Sequence, residues 1–255
     1  MSEHIESIVL GGLSQEGLVL QEKTRFKGEL IRSCRLKDAT LSASIFDDCL
    51  LEDCSFEKTD FREVRFFHKS TLRNCHFQSA DFRGSGLNDS IFNNCTFIKC
   101  DFRKSYFNDC SFINCAFERC KIIDNTFNVA NVRDCKFSGK LQDVNFVAEQ
   151  PNTMLRADFE KCVFDFVLFK NCNIEQIAPP ADDQHIYFKD LAERSRKALT
   201  IVLAQPESPT TKLLKRRLKN YAMQRGGVFN LKNLAEAEGK EFAEQLIDLL
   251  MQSGS

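Results

Sequence analysis

A large apolar residue returns at every fifth position over most of this chain, and a period that short leaves few folds open. The first run is Phe26, Ile31, Leu36, Leu41, Phe46, Leu51, Phe56, Phe61 and Phe66. The frame then slips by one residue and continues from Leu72 to Phe137 without a gap. Leu141 and Phe146 follow a one-residue deletion, and Phe159, Phe164, Phe169 and Ile174 resume after what reads as an eight-residue insertion containing Pro151, which makes 29 repeats. Two residues ahead of each large residue stands a small one, as in Cys34, Ala39, Ser44, Cys49, Cys54 and Thr59. All 12 cysteines and 19 of the 24 phenylalanines occupy these two slots, so one pattern accounts for both oddities of a composition that has no Trp and only 3 Tyr.

A period of five matches neither the 3.6 of a helix nor the 2.0 of a flat strand. It fits one side of a square coil, twenty residues to the turn, with the large side chain inside and the small one at the corner. The alternation of small, polar and Leu or Phe positions over roughly residues 24 to 176 resembles the pentapeptide-repeat family, although that family is usually richer in Ala and Leu where this chain has Cys and Phe. The resemblance implies an all-β, right-handed quadrilateral parallel β-helix. About seven coils at ~4.8 Å would give a rod of about 34 Å. Following positions by twenties, Cys34, Cys54, Cys75, Cys95, Cys115, Cys135 and Cys162 form one column beside Leu36, Phe56, Phe77, Phe97, Phe117, Phe137 and Phe164. Asp53, Asn74, Asn94, Asn114 and Asp134 form another, suited to amide ladders between coils.

The expected organisation is an N-terminal cap at 1–23, the repeats at 24–178 and a small helical domain at 179–255, divided by Pro179-Pro180. In the last part Pro206, Pro209 and Gly226-Gly227 separate helices expected at Gln184 to Ala204, Pro209 to Arg225 and Leu231 to Met251. The order helix, Gly-Gly-Val-Phe-Asn-Leu, helix, short turn, helix resembles part of a winged-helix unit. An open coil end presents unpaired backbone groups, so the tail is expected to cap the rod or dock a partner.

No catalytic constellation is legible. His4, His68, His76 and His185 form no HxH or HExxH group, and a linear stack of cysteines does not converge on a metal. The thiols read as small hydrophobes, and no cofactor or metal is expected. His68, at the frame slip, reads as a surface residue that a bulge could re-aim. Two surface features stand out. Asp60, Arg62, Asp81, Arg83, Asp101 and Arg103 recur as Asp-Phe-Arg triplets one coil apart, either a charge-compensated stack or a docking patch. Lys212, Lys215, Arg216, Arg217, Lys219 and Arg225 give a basic patch with no acid between Pro209 and Gly227, expected to allow at most weak, salt-sensitive nucleic-acid contact.

Charge is otherwise balanced. Net charge is −1, with 23 cations and 26 acids up to residue 178 and 12 and 10 beyond it. No apolar run approaches the ~18 residues of a membrane span. Glu3, Glu6 and Glu16 precede the first cation, Lys23, unlike a secretory leader, so a cytoplasmic protein is expected. The reading is a non-enzymatic, bacterial protein-interaction scaffold. Resemblance to family members that mimic duplex DNA implies a topoisomerase such as gyrase as an alternative partner, but mimicry wants a strongly acidic rod and the repeats carry only −3. A bacterial effector is the third reading.

Overall fold

Putting one large side chain inward every fifth residue forces the chain around a corner between consecutive repeats, and the corners show how it does so. In the computed structural model, which describes residues 10–254 apart from Glu22 and Asn108, the second residue after a central one enters the left-handed region. Ser33, Asp38, Asp48, Asp53, Asn74, Asn94, Asn114 and Asp134 all have φ between 49° and 56°. Left-handed backbone disfavours most L-residues by ~1–2 kcal/mol and is tolerated best by Gly, Asn and Asp. The Asp and Asn column therefore serves the corner first and the ladder second. The ladder is present in part: the Asn74 amide donates to Asp53 at 3.1 Å and the Asn94 amide to Asn74 at 3.3 Å.

The sides stack in parallel register one coil apart. One runs Phe26, Phe46, Phe66. The next runs Ile31, Leu51, Leu72, Phe92, Phe112, Val132. A third runs Leu36, Phe56, Phe77, Phe97, Phe117, Phe137. The fourth side is held by isolated bridges through Thr40, Asp60, Asp81, Asp101 and Lys121. The result is a right-handed quadrilateral β-helix of about eight coils, about 38 Å long at ~4.8 Å per coil. The count exceeds the expected seven because the coil begins before residue 24. Leu10 and Leu20 are buried, Gln15 pairs with Leu36, and Val19 bridges Thr40. Gln15 occupies an apolar slot and hides this repeat from the pattern. Of the expected cap, residues 1–9 lie outside the described residues.

Rings stack within a column and meet edge-on between columns. Phe61 and Phe82 lie 4.9 Å apart and 3° from parallel, whereas Phe77 meets Phe82 at 5.3 Å and 66°. Each such pair adds ~0.5–1.5 kcal/mol beyond burial. The small slot does more than fit the corner. The thiols of Cys54, Cys95, Cys115 and Cys135 lie 3.3–3.4 Å from the carbonyl oxygens of Ile31, Leu72, Phe92 and Phe112 in the preceding coil and donate to them. Ser105 and Asn125 donate in the same way to Phe82 and Phe102.

The two irregularities resolve differently. At the frame slip, His68 and Lys69 are both left-handed, at φ 49° and 61°, so the extra residue is absorbed by a double corner. The apparent eight-residue insertion is a smaller event. Strands β1 (Asn145–Val147) and β2 (Leu168–Lys170) pair with Phe146 beside Phe169, 23 residues apart and so only three more than a coil. Leu155, fully buried, fills a central slot within the supposed insertion, and its N–H bonds the Asn173 carbonyl at 2.8 Å. The column assignment shifts accordingly. Phe159 stacks on Phe137 at 5.1 Å, Phe164 pairs with Leu141, and Cys162 lies beside Gly139 rather than above Cys135.

The tail has four helices where three were expected, plus a strand pair. β3 (His185–Phe188) pairs antiparallel with β4 (Gly227–Asn230). Between them lie α1 (Leu191–Leu203) and α2 (Pro209–Tyr221), and after them α3 (Leu231–Glu238) and α4 (Lys240–Gln252). α2 starts where its sequence dictates, with a Ser208–Thr211 capping box and Pro209 in the first turn. α1 starts later than expected because His-Ile-Tyr-Phe is used as a strand, and the last helix is divided at Gly239, φ 90°. Leu191, Ala198, Val202, Leu214, Leu218, Leu246 and Leu250 form the tail's own core.

Candidate interaction surfaces

The Asp-Phe-Arg triplets come together on the fourth side as the spacing requires. Asp60 bridges Asp81, and Asp81 bridges Asp101. Each carboxylate is gripped by its own arginine. Arg62 donates through Nε at 3.0 Å and Nη2 at 2.6 Å, and its backbone N–H donates to Asp60 at 2.9 Å. Arg83 and Arg103 repeat this on Asp81 and Asp101, each with Nε and Nη2 on the carboxylate. Links to the next coil are longer: Arg62 to Asp81 at 4.0 Å and Lys121 to Asp101 at 3.9 Å. Burial works against the charge of Asp60 and Asp101, yet the arginine donors hold both below the usual carboxylate range. The carboxylates recede while the guanidiniums project, 19% against 52% exposed for Asp60 and Arg62. The stripe therefore presents neutralised pairs with their cationic ends outermost.

A second charged group escaped the sequence reading. His68 is exposed, but its Nδ1 meets the buried carboxylate of Asp47, which Arg25 of the coil below also grips. Arg25 foremost, then His68, hold Asp47 below its ordinary range. The only sequence signal is position: Lys27, Asp47 and Phe67 share a rung, and the double corner turns His68 back toward it.

The basic patch is smaller than its six charges suggest. Lys212 lies 3.7 Å from Glu207, Arg217 pairs with Glu238, and Arg225 lies 3.9 Å from Glu175. Lys215, Arg216 and Lys219 have no carboxylate within 4.0 Å among the described residues. The winged-helix comparison also weakens. β4 pairs with β3, which precedes α1, and α4, in the place of a recognition helix, turns Glu241, Glu244 and Asp248 outward.

At the junction, tail side chains take up backbone groups of the last coil. The Phe164 N–H donates to His185 Nε2 at 3.0 Å, and the Asn230 amide donates to the Phe164 carbonyl. The Phe166 N–H donates to Asn233 Oδ1 at 3.0 Å, and the Asn233 amide donates to Asp165 at 2.9 Å. Since His185 Nε2 accepts, its proton sits on Nδ1, facing Asp182 Oδ1 at 2.7 Å. Tyr187 donates to the Ile174 carbonyl. These contacts from the tail span 13 to 68 residues at no fixed spacing, and a period of five carries no information about them, so none was legible.

All twelve cysteines are unpaired; eleven are buried and Cys172 is half-buried. Burial pushes the Cys34 thiol up to about 11 and Cys110 well above its ordinary value. Among the described residues, no group of three or more His, Cys, Asp or Glu is placed to hold a metal. No helix among them is long and apolar enough to cross a membrane.

Comparison with known proteins returns the same pattern. Residues 34–68 match the family described as pentapeptide repeats (8 copies), and residues 67–146 match the pentapeptide repeat region family. Among solved structures, a trypsin-treated form of QnrB1, a plasmid-mediated fluoroquinolone resistance protein, is 19% identical over 61% of this chain and 91% of that one, with TM-score 0.34. Full-length QnrB1 is 20% identical over 62% and 94%, with TM-score 0.29. HetL, a pentapeptide repeat protein involved in heterocyst differentiation regulation from the cyanobacterium Nostoc, is 10% identical over 65% and 90%, with TM-score 0.28. No curated protein sequence matches.

Proposed function

We propose that this pentapeptide-repeat protein is a non-enzymatic interaction scaffold, a rod that offers a partner protein its long faces and is closed at one end by its helical tail. The observation that carries the reading is the Asp–Arg stripe, where three identical guanidinium–carboxylate pairs repeat at the coil spacing on one exposed side. Fixed spacing of outward side chains is what a docking partner can read, and a rigid lattice loses little entropy on being bound. The thiols, the most reactive groups in the chain, face inward as hydrogen-bond donors, and twelve unpaired cysteines suit a reducing compartment such as the cytoplasm.

The test is capture from the native host by cross-linking, using full-length protein beside a triple variant, Arg62→Glu, Arg83→Glu and Arg103→Glu. Loss of a captured protein with an unchanged melting temperature supports the stripe; capture of the same protein by both sinks it. A duplex-DNA mimic acting on a topoisomerase is the weaker alternative, because Asp60, Asp81 and Asp101 are each already neutralised by an arginine two residues on. The expected result is unaltered DNA supercoiling by purified topoisomerase at low micromolar protein, and inhibition there would restore that alternative.

A further inference from the structure

The tail does not close the rod's end evenly. Over the fourth side, His185, Asn230 and Asn233 take up the backbone of Phe164 and Phe166. On the adjoining side, β2 is the terminal strand of a three-stranded sheet, order Thr126–Asn128, β1, β2, and no strand pairs beyond it among the described residues. The Leu168 N–H donates down to the Val144 carbonyl at 2.9 Å, and the Lys170 carbonyl accepts from the Ala148 N–H at 3.0 Å. In a parallel ladder the residue between them points the other way. The Phe169 N–H and C=O therefore face off the end of the rod, and no hydrogen bond engages them among the described residues.

A cleft of about 440 Å³ lies here, between Phe164–Lys170 on one wall and Tyr221, Phe229 and Leu234 on the other. The upper wall lies close on the rod at Gly226, where a Cβ would come within 3.0 Å of the Ile174 side chain, and Gly227 leaves room within the tail for Leu191, 2.7 Å from where its Cβ would stand. Phe166 and Leu168 are 45% and 52% exposed, large apolar side chains left open at the cleft's rim. Lys170 is exposed and has no carboxylate within 4.0 Å among the described residues, whereas Arg217 opposite is tied to Glu238.

We propose that this edge receives an extended peptide from a partner protein, which adds one more parallel strand to the side ending in β2. The unpaired N–H and C=O of one residue, spaced for a ladder, are complemented by a polypeptide main chain. The register places the peptide's central side chain above the Phe169 ring, in the apolar cleft, so that residue is Phe or Leu. The neighbouring outward residue stands beside Lys170, so it is acidic. A second copy of this chain is a poorer occupant, since the described strands of the rod already belong to its own coils. The site is separate from the Asp–Arg stripe, and either can fail alone.

The probe is a fluorescein-labelled pool of heptapeptides with Phe or Leu at the centre and Asp or Glu on both sides, titrated into full-length protein. Saturable anisotropy is expected, together with slowed amide exchange at Phe169. N-methylation of the amide following the central residue should weaken binding about tenfold, the scale of one lost hydrogen bond. Lys170→Glu and Leu168→Asp should each weaken it to a similar extent with melting temperature unchanged, and Arg83→Glu should leave it intact. Absence of saturable binding, or binding indifferent to N-methylation or to Lys170→Glu and Leu168→Asp, overturns the proposal. So does a concentration-dependent dimer that the peptide pool cannot dissociate.

Discussion

Along the inside of the rod, a cysteine two positions before a phenylalanine meets two demands at once: it must be small enough for the corner, and it must donate to a carbonyl of the preceding coil. The first demand is visible in the sequence, where every cysteine falls in the small slot. The second is not, because the acceptor lies 23 residues earlier, as with Cys95 and the Leu72 carbonyl at 3.4 Å. Cys95→Ala removes that weak donor and should cost about 1 kcal/mol. Phe97→Ala, which empties a slot stacked on Phe77 and Phe117, should cost about 3–5 kcal/mol. Urea midpoints measure both, and a reversed order would refute the packing argument. Native thiols should label slowly, with Cys172 first; rapid labelling of most of them would mean the coils open. The acids make a separate test. Lys140 holds Asp165 below the ordinary carboxylate range, and Asp60 and Asp101 are held there by their arginines against burial. Folded values below the unfolded ones mean that this stability is complete above the ordinary carboxylate value of ~3.9 and is lost as pH falls through the folded values. Melting temperature should drop below pH ~4, and Asp60→Asn with Asp101→Asn should shrink that drop.

Between elements, legibility depended on whether the partner lay at a fixed spacing. Parallel register was readable because each strand is the template for the one twenty residues on. The exceptions have local causes: Gln15 in an apolar slot concealed the first coil, and Leu155, displaced by three extra residues, passed for insertion. Helices in the tail were found by their periodicity and prolines, but β3 was read as helix because its partner, β4, lies about forty residues away. The junction contacts are of the same kind, and they are testable as a unit. Asn230→Ala together with Asn233→Ala leaves the Phe164 carbonyl and the Phe166 N–H without their side-chain partners. Each orphaned group costs ~1–3 kcal/mol when it stays buried and less where water reaches it. The double variant should therefore melt at lower temperature and exchange the Phe166 amide faster, while amides in the middle coils stay protected. Uniform loss of protection along the rod would show that the tail is coupled to every coil, not only to the last.

For the molecule as a whole, the question is why a rod built from self-templating coils stops. A coil end exposes a strand edge, and an edge of this kind pairs with whatever strand is offered. Here the chain leaves the lattice gradually. Ala178 still bridges Asp158, and the Ala181 N–H still bonds the Glu160 carbonyl at 3.1 Å, before β3 crosses over Phe164. Ending the chain after Ala181 therefore keeps the last lattice bonds but removes His185, Asn230 and Asn233, freeing the backbone of Phe164 and Phe166 beside the already open Phe169. The shortened rod should fold, since its stacked core of Phe26 to Phe169 is intact, and should then associate through the exposed end. Light scattering should report growth with concentration, and circular dichroism should report unchanged strand content. Electron microscopy would separate end-to-end threads from amorphous clumps. If the shortened rod instead remains monomeric and stable at high concentration, the tail is not needed to stop the lattice, and the contacts it makes with Phe164 and Phe166 position it for binding rather than for closure.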